Sequence, residues 1–214
     1  ATRIPLMANG TVDLECGSTT NNAERQKQVW FTNSHFLTAS RYVTKKASKI
    51  NSIDDLKGKT VVSTAGTTNI KQLTEANLAR GLNINIIPAK DHAEAFLMVE
   101  TDRAAAFVMD DILLASLVAS SKSPGDYVLS KDAFSKPEPY GIMLRKDDVP
   151  FKKVADAATA ALYTSDEGLK LYDKWFNQKI PPKGLNLNVP LGPEMKKQLA
   201  KPSDSPDPDA YLVN

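Results

Sequence analysis

The side chains best placed to do chemistry fall in short polar runs between apolar segments. The first run is Cys16-Gly17-Ser18-Thr19-Thr20-Asn21-Asn22-Ala23-Glu24-Arg25. Three consecutive hydroxyls followed by a guanidinium suit a bidentate grip on a carboxylate. A second run, Thr64-Ala65-Gly66-Thr67-Thr68, lies between an apolar segment and a helical pattern. Unpaired N–H groups and the dipole at such a helix start favour an anion. Asp110 closes the apolar run Ala105 to Met109, and His92 follows Asp91. Each residue also has a plainer reading. Taken alone, the first run is a helix cap ahead of a surface arginine, and an acid that ends a strand is often only a cap. A histidine after an aspartate is more often a surface or capping group. Arg3, near an end, is by default solvated, and Asp111 is expected to face solvent.

The elements that must position these groups come in a strand-helix rhythm. Val61 to Ser63, Ile84 to Ile87 and Ala105 to Met109 read as short buried strands. The helices that follow are Thr67 to Arg80, Ala93 to Thr101 and Asp111 to Ser121. Alternation at this pitch implies a parallel, doubly wound α/β sheet, with ligands taken at the carboxyl ends of its strands. Arg41 to Thr44 leads into this block and Tyr140 to Leu144 leads out, each as a single connecting strand. The expected organisation is therefore 1–40 as part of one lobe, 41–140 as a second lobe with its hinge strands, and 141–200 as the return to the first. Residues 201–214 carry Pro202, Pro206 and Pro208 among Ser and Asp, and too little apolar surface to order themselves. An extended or disordered tail is expected. The helix Phe151 to Tyr163 and the Trp175-Phe176 segment have aromatics at helical spacing, which predicts core packing.

Composition excludes several classes of function. A net charge of +2 on 214 residues, spread along the chain, leaves no electrostatic footprint for nucleic acid or an anionic membrane. One cysteine and two histidines allow no intrachain disulfide and no credible zinc site, so neither metal nor cofactor is expected. No leader opens the sequence, and no apolar run reaches the roughly 18 to 20 residues of a membrane span.

The ordered motifs resemble the polar amino-acid-binding family of extracytoplasmic solute receptors. The pattern is Gly10-x-x-Asp13, then Thr20-x-x-x-x-Arg25, then Val29-Trp30-Phe31. It continues through Leu56-Lys57-Gly58-Lys59, Gly66-Thr67, Arg103 to Ala106, Tyr140-Gly141-Ile142 and Lys174-Trp175-Phe176, covering nearly all of residues 1–200. Cys16 to Asn22, Ala89-Lys90-Asp91-His92 and Met109-Asp110-Asp111 look like the glutamate/aspartate-binding members. The resemblance implies a two-lobed periplasmic-binding-protein fold of type II, with parallel-rich sheets flanked by helices and two hinge strands. It also implies capture of glutamate or aspartate by hinge closure, a periplasmic location, and delivery to a membrane ABC permease.

By the same resemblance, Arg25 and Thr20 match positions that hold the ligand's α-carboxylate, with the Thr67-Thr68 end of the helix closing on that group. Asp110 and the Ser18 carbonyl match the acceptors of the α-ammonium, and Arg3 and His92 lie near the side-chain carboxylate. The family also has a strand, a helix and a second strand, roughly 70 residues, ahead of the point where this chain starts. The first lobe is thus expected to be incomplete, with an open strand edge prone to association or swapping, and such a shortened form could bind poorly. Two other members of the architecture compete with transport: a sensory module, and a dehydratase of cyclohexadienyl acids. The second needs a positioned general acid or base, and apart from Asp110 no carboxylate suggests itself, so a non-enzymatic role is expected.

Overall fold

A computed structural model of the protein describes residues 2–213. The chain divides into two compact units, Ala1–Thr38 with Pro137–Asn214, and Ala39–Lys136. In chain order the first stretch holds α1 (Arg3–Ala8), β1 (Leu14–Glu15), α2 (Ala23–Gln26), β2 (Val29–Phe31) and β3 (Phe36–Thr38). The middle stretch follows with β4 (Ser40–Lys45), β5 (Thr60–Thr64), α3 (Thr68–Arg80), β6 (Asn85–Ala89), α4 (His92–Glu100), β7 (Ala106–Asp110), α5 (Asp111–Ser120) and β8 (Tyr127–Leu129). The last stretch holds β9 (Glu138–Tyr140), β10 (Met143–Arg145), α6 (Val149–Tyr163), α7 (Asp166–Phe176) and α8 (Pro193–Ala200). No helix among the described residues is long and apolar enough to cross a membrane.

The middle unit is built on one five-stranded sheet in the order β6-β5-β7-β4-β8. Strands β6, β5 and β7 are parallel, as the strand-helix rhythm requires, whereas β4 runs antiparallel to β7 and β8. The sheet is therefore parallel-rich instead of wholly parallel. Successive residues of each strand point to opposite faces, and both faces are covered. Val43, Val62, Phe107 and Met109 pack with Phe96, Val99 and Leu114 on one side. Tyr42, Val61, Ala106 and Val108 pack with Leu73, Leu56 and Ile53 on the other. The helices are punctuated locally. Thr67 caps α3 and Asp91 caps α4, while α3 stops at Gly81, whose φ of 60° is the left-handed conformation glycine takes most readily.

The ladders described in the other unit are antiparallel: a three-stranded sheet β1-β10-β2 and the pair β3-β9. The expected single strand Tyr140 to Leu144 is therefore two strands. The backbone at Gly141 lies so close to Phe31 that an added Cβ would meet that side chain's Cβ at 3.0 Å, and Ile142 accepts from Thr32 N at 2.9 Å. The pairing of Glu138–Tyr140 with Phe36–Thr38 also explains where the units part. The division falls at 38/39 and 136/137, ahead of the 40/41 and 140/141 boundaries read from sequence.

Two expectations for the remaining chain need correction. Trp175 is not core: it is 44% exposed, with the Lys174 ammonium 5.4 Å from the ring centroid. Tyr163, Tyr172 and Phe36 carry the buried aromatic packing instead, Phe36 stacking on Phe176 at 4.8 Å. The tail is ordered by polar bonds and one aromatic. Ser203 O accepts from Ser34 N at 2.9 Å and from Gln198 Nε2 at 3.0 Å. Asp204 takes Lys152 Nζ at 2.7 Å on its carboxylate and Asn21 Nδ2 at 2.8 Å on its carbonyl. Tyr211 is only 2% exposed, and its hydroxyl meets Ser34 Oγ and donates to Ser205 O. Composition alone undercounts such a segment, because its partners lie elsewhere in the chain.

Tyr211→Ala should therefore destabilise the protein by about 3 kcal/mol through loss of a buried aromatic, and Tyr211→Phe by about 1 kcal/mol through loss of the hydroxyl's bonds. Equilibrium urea denaturation checks both values. Unchanged stability in Tyr211→Ala would show that the tail is not held.

Candidate functional site

In the middle unit the sequence-predicted residues gather at the carboxyl ends of the three parallel strands. β5 ends at Thr64, and the chain turns through Gly66, whose φ is +74°. Thr67 then caps α3, donating to Thr64 O at 2.7 Å and accepting from Ile70 N at 3.3 Å. The N–H groups of this first turn, beginning with Thr68, have no acceptor within the helix, and the helix dipole makes the spot electropositive.

Asp110 ends β7 beside that turn. It occupies the cap position of α5, yet its side chain makes no capping bond. Its carboxylate, in a residue only 4% exposed, instead accepts from Asn69 Nδ2 at 2.8 Å. The plain reading of Asp110 as a helix cap is thereby set aside. A buried anionic acceptor thus lies against the donor end of a helix, and this pairing of charges complements an ammonium and a carboxylate carried by one small zwitterion. Its neighbour Asp111 is half-buried, its carboxylate 3.6 Å from Arg41 Nε, so it does not simply face solvent.

His92 opens α4, but the cap is Asp91, which accepts from Glu94 N at 2.8 Å. The imidazole Nδ1 meets Thr64 Oγ1 at 2.7 Å, and the ring lies 6.5 Å from that of Phe107. His92 is half-buried at the strand ends and is neither a cap nor a surface group.

The second group belongs to the other unit. Here the loop from Cys16 to Asn22 is held by backbone bonds to Pro139 and Gly141 and by Glu15, whose carboxylate accepts from Thr19 Oγ1 at 2.7 Å. A Cβ at Gly17 would come within 2.1 Å of Glu15 Oε1, so a side chain there would displace the carboxylate that holds Thr19. Thr20 bridges to Tyr140, and Asn21 N donates to Pro139 O at 2.8 Å. Arg25 lies in α2, capped by Asn22. It is not a surface arginine: it is 8% exposed, and Nη1 donates to Thr20 O at 2.8 Å. Ser18, half-buried, belongs to the same loop.

Arg3 opens α1, which packs on β1, β2 and β10. It is half-buried, so only partly solvated, and its buried Nε has no hydrogen-bond partner among the described residues. Such a donor costs about 1–3 kcal/mol when left unmet. Asn69 and Ser40 were not foreseen. A polar residue in a helix's first turn or at a strand end carries no local signal of burial. Among the described residues, no cluster of three or more His, Cys, Asp or Glu side chains could hold a metal ion.

Comparison with known proteins follows the same lines. Residues 1–178 match the bacterial extracellular solute-binding proteins, family 3. The L-glutamate/L-aspartate-binding protein of Pseudomonas aeruginosa is 54% identical over 203 residues, covering 95% of this chain and 67% of that protein. The glutamate/aspartate import solute-binding protein of Escherichia coli is 48% identical over 202 residues, covering 94% and 67%. The chain thus spans about two thirds of the length of these relatives. Among solved structures, an ancestral arginine-binding protein bound to arginine matches with a TM-score of 0.74 at 28% identity, over 82% of this chain and 76% of that one. The GluR0 ligand-binding core from Nostoc punctiforme in complex with (L)-glutamate matches with 0.68 at 28%, over 81% and 77%.

One half-buried group outside these clusters, with a buried ring nitrogen, sets a pH dependence. His35 lines an apolar cavity of about 150 Å³ with Tyr163, Tyr172 and Trp175, and its Nδ1 has no partner among the described residues. Burial holds its pKa down to about 4, against an ordinary value of 6.5. The unfolded chain therefore binds the extra proton between those values, so stability falls as pH drops from about 6.5 toward 4, by up to about 3 kcal/mol. Denaturation midpoints followed across that range should show the slope in the parent and a flatter profile in His35→Phe.

Proposed function

The chain belongs to the bacterial extracellular solute-binding proteins, family 3, and from that membership we propose that it binds L-glutamate or L-aspartate in the periplasm and passes it to a membrane ABC importer. The observation that carries the reading is the buried Asp110 carboxylate, unused as a cap, against the first turn of α3. An α-amino acid presents one cation and one anion on neighbouring atoms. Asp110 would take the ammonium, together with the Ser18 carbonyl. Thr68 and the α3 N-terminus would take the α-carboxylate with Thr20 and the Arg25 guanidinium. Arg3 and His92 would meet the side-chain carboxylate, where a second anion needs cationic or N–H donors. The ligand leaves chemically unchanged in this reading, so no residue is assigned a catalytic role. The names of the Pseudomonas and Escherichia relatives support the choice of acidic amino acids.

Two measurements test the reading. Glutamate binding to Arg25→Ala, by isothermal calorimetry, should be weaker by at least about thirtyfold, the effect of truncating one partner of a buried charge pair. Equal affinity in the variant and the parent would return Arg25 to a structural role. Removal of His92 or Arg3, as His92→Gln or Arg3→Ala, should cost glutamate and aspartate more than glutamine and asparagine, whose neutral amides draw less from a cation. A variant that still separates glutamate from glutamine as well as the parent does would exclude that residue as a specificity determinant.

A further inference from the structure

We infer that Asn69 is the positioning residue of the ammonium acceptor, an inference that rests on the proposed role of Asp110. Asn69 is the second residue of α3 and only 2% exposed. Thr67 already supplies the cap, so capping does not explain a buried asparagine here. Its amide nitrogen donates to Asp110 Oδ1 at 2.8 Å and to Ser40 Oγ at 3.0 Å. Ser40 is in turn fixed by its backbone, its N donating to Ser135 Oγ at 2.9 Å and its O accepting from Phe134 N at 2.7 Å. Ser40 and Asp110 are also register partners across β4 and β7. The Asp110 carboxylate is thus tied through one amide to the helix that starts beside it and to a strand residue held from two sides.

The chemistry of the tie is selective. A lysine or arginine at position 69 would hold the carboxylate equally well, but it would neutralise the charge that a ligand's ammonium must find. An amide donates to one oxygen, fixes the side-chain torsion and leaves the carboxylate anionic. A pre-oriented anion loses no freedom when the ammonium arrives, and support from such neighbours commonly decides how well a directly contacting group works.

The test uses the 214-residue chain and glutamate. Asn69→Leu keeps the volume and removes both donations, and its affinity should fall about tenfold, one hydrogen bond to a charged group. Asn69→Ser, which keeps a shorter donor, should recover part of that loss. The double-mutant cycle with Asp110→Asn separates positioning from scaffolding. If Asn69 acts through Asp110, adding Asn69→Leu to Asp110→Asn should change affinity less than twofold, read by NMR titration where binding is too weak for calorimetry. Undiminished binding in Asn69→Leu overturns the inference. So does full additivity in the cycle, or a loss that follows the variants' melting temperatures and ignores their donor capacity. If the parent itself fails to bind glutamate or aspartate, or if Asp110→Asn binds as well as the parent, the proposed function fails instead.

Discussion

The hydrogen bond between Asn69 and the buried Asp110 carboxylate is the contact on which the middle unit's site depends. A carboxylate out of water is tolerated only where donors meet it. Meeting it here requires β7 and α3 to end and begin at the same edge of the sheet. The parallel order β6-β5-β7 delivers this, because each crossover returns the chain so that strand ends and helix starts share one side. Thr64, Thr67, His92 and Asp110 converge there for the same topological reason. The two covered faces of the sheet hold that edge rigid, with Val61 and Val62 pointing into opposite cores.

The other unit solves a different problem with the same materials. Its loop from Cys16 to Asn22 has no long helix behind it, so the backbone is pinned by bonds to Pro139 and Gly141 and by the Glu15 carboxylate on Thr19. Arg25 is buried against the loop it follows, with Thr20 O as one of its acceptors. The tail adds support from the far end of the chain, since the Asp204 carbonyl holds the Asn21 amide directly beside Thr20. A proline-rich segment thus steadies the hydroxyl loop.

Local pattern made much of this legible. The strands and helices from Val61 to Ser121 lie within one or two residues of where the apolar spacing puts them, since the signals are caps, a terminal glycine and short continuous apolar runs, all acting over a few residues. The hydroxyl-rich loop before Arg25 and the turn at Gly66 were visible as polar runs between ordered segments. Trp175 and the tail were misjudged for a common reason. A helix's aromatic spacing does not say which of its faces finds a partner, and a tail's composition does not count the donors waiting for it elsewhere.

By itself, the sequence determined which residues could serve and in what local setting: threonines at a helix start, an acid at a strand end, an arginine after a loop of hydroxyls. Those settings depend on neighbours a few positions away, through backbone hydrogen bonds the residue order dictates. Only the tertiary structure decided that Arg25 and Asp110 are buried, that Trp175 is not, and that Asn69 matters at all. Asn69 and Asp110 are separated by 41 positions, and Asn21 and Asp204 by 183. Contacts at such separations follow from how the sheet is ordered and how the chain closes on itself, which no local run of residues encodes.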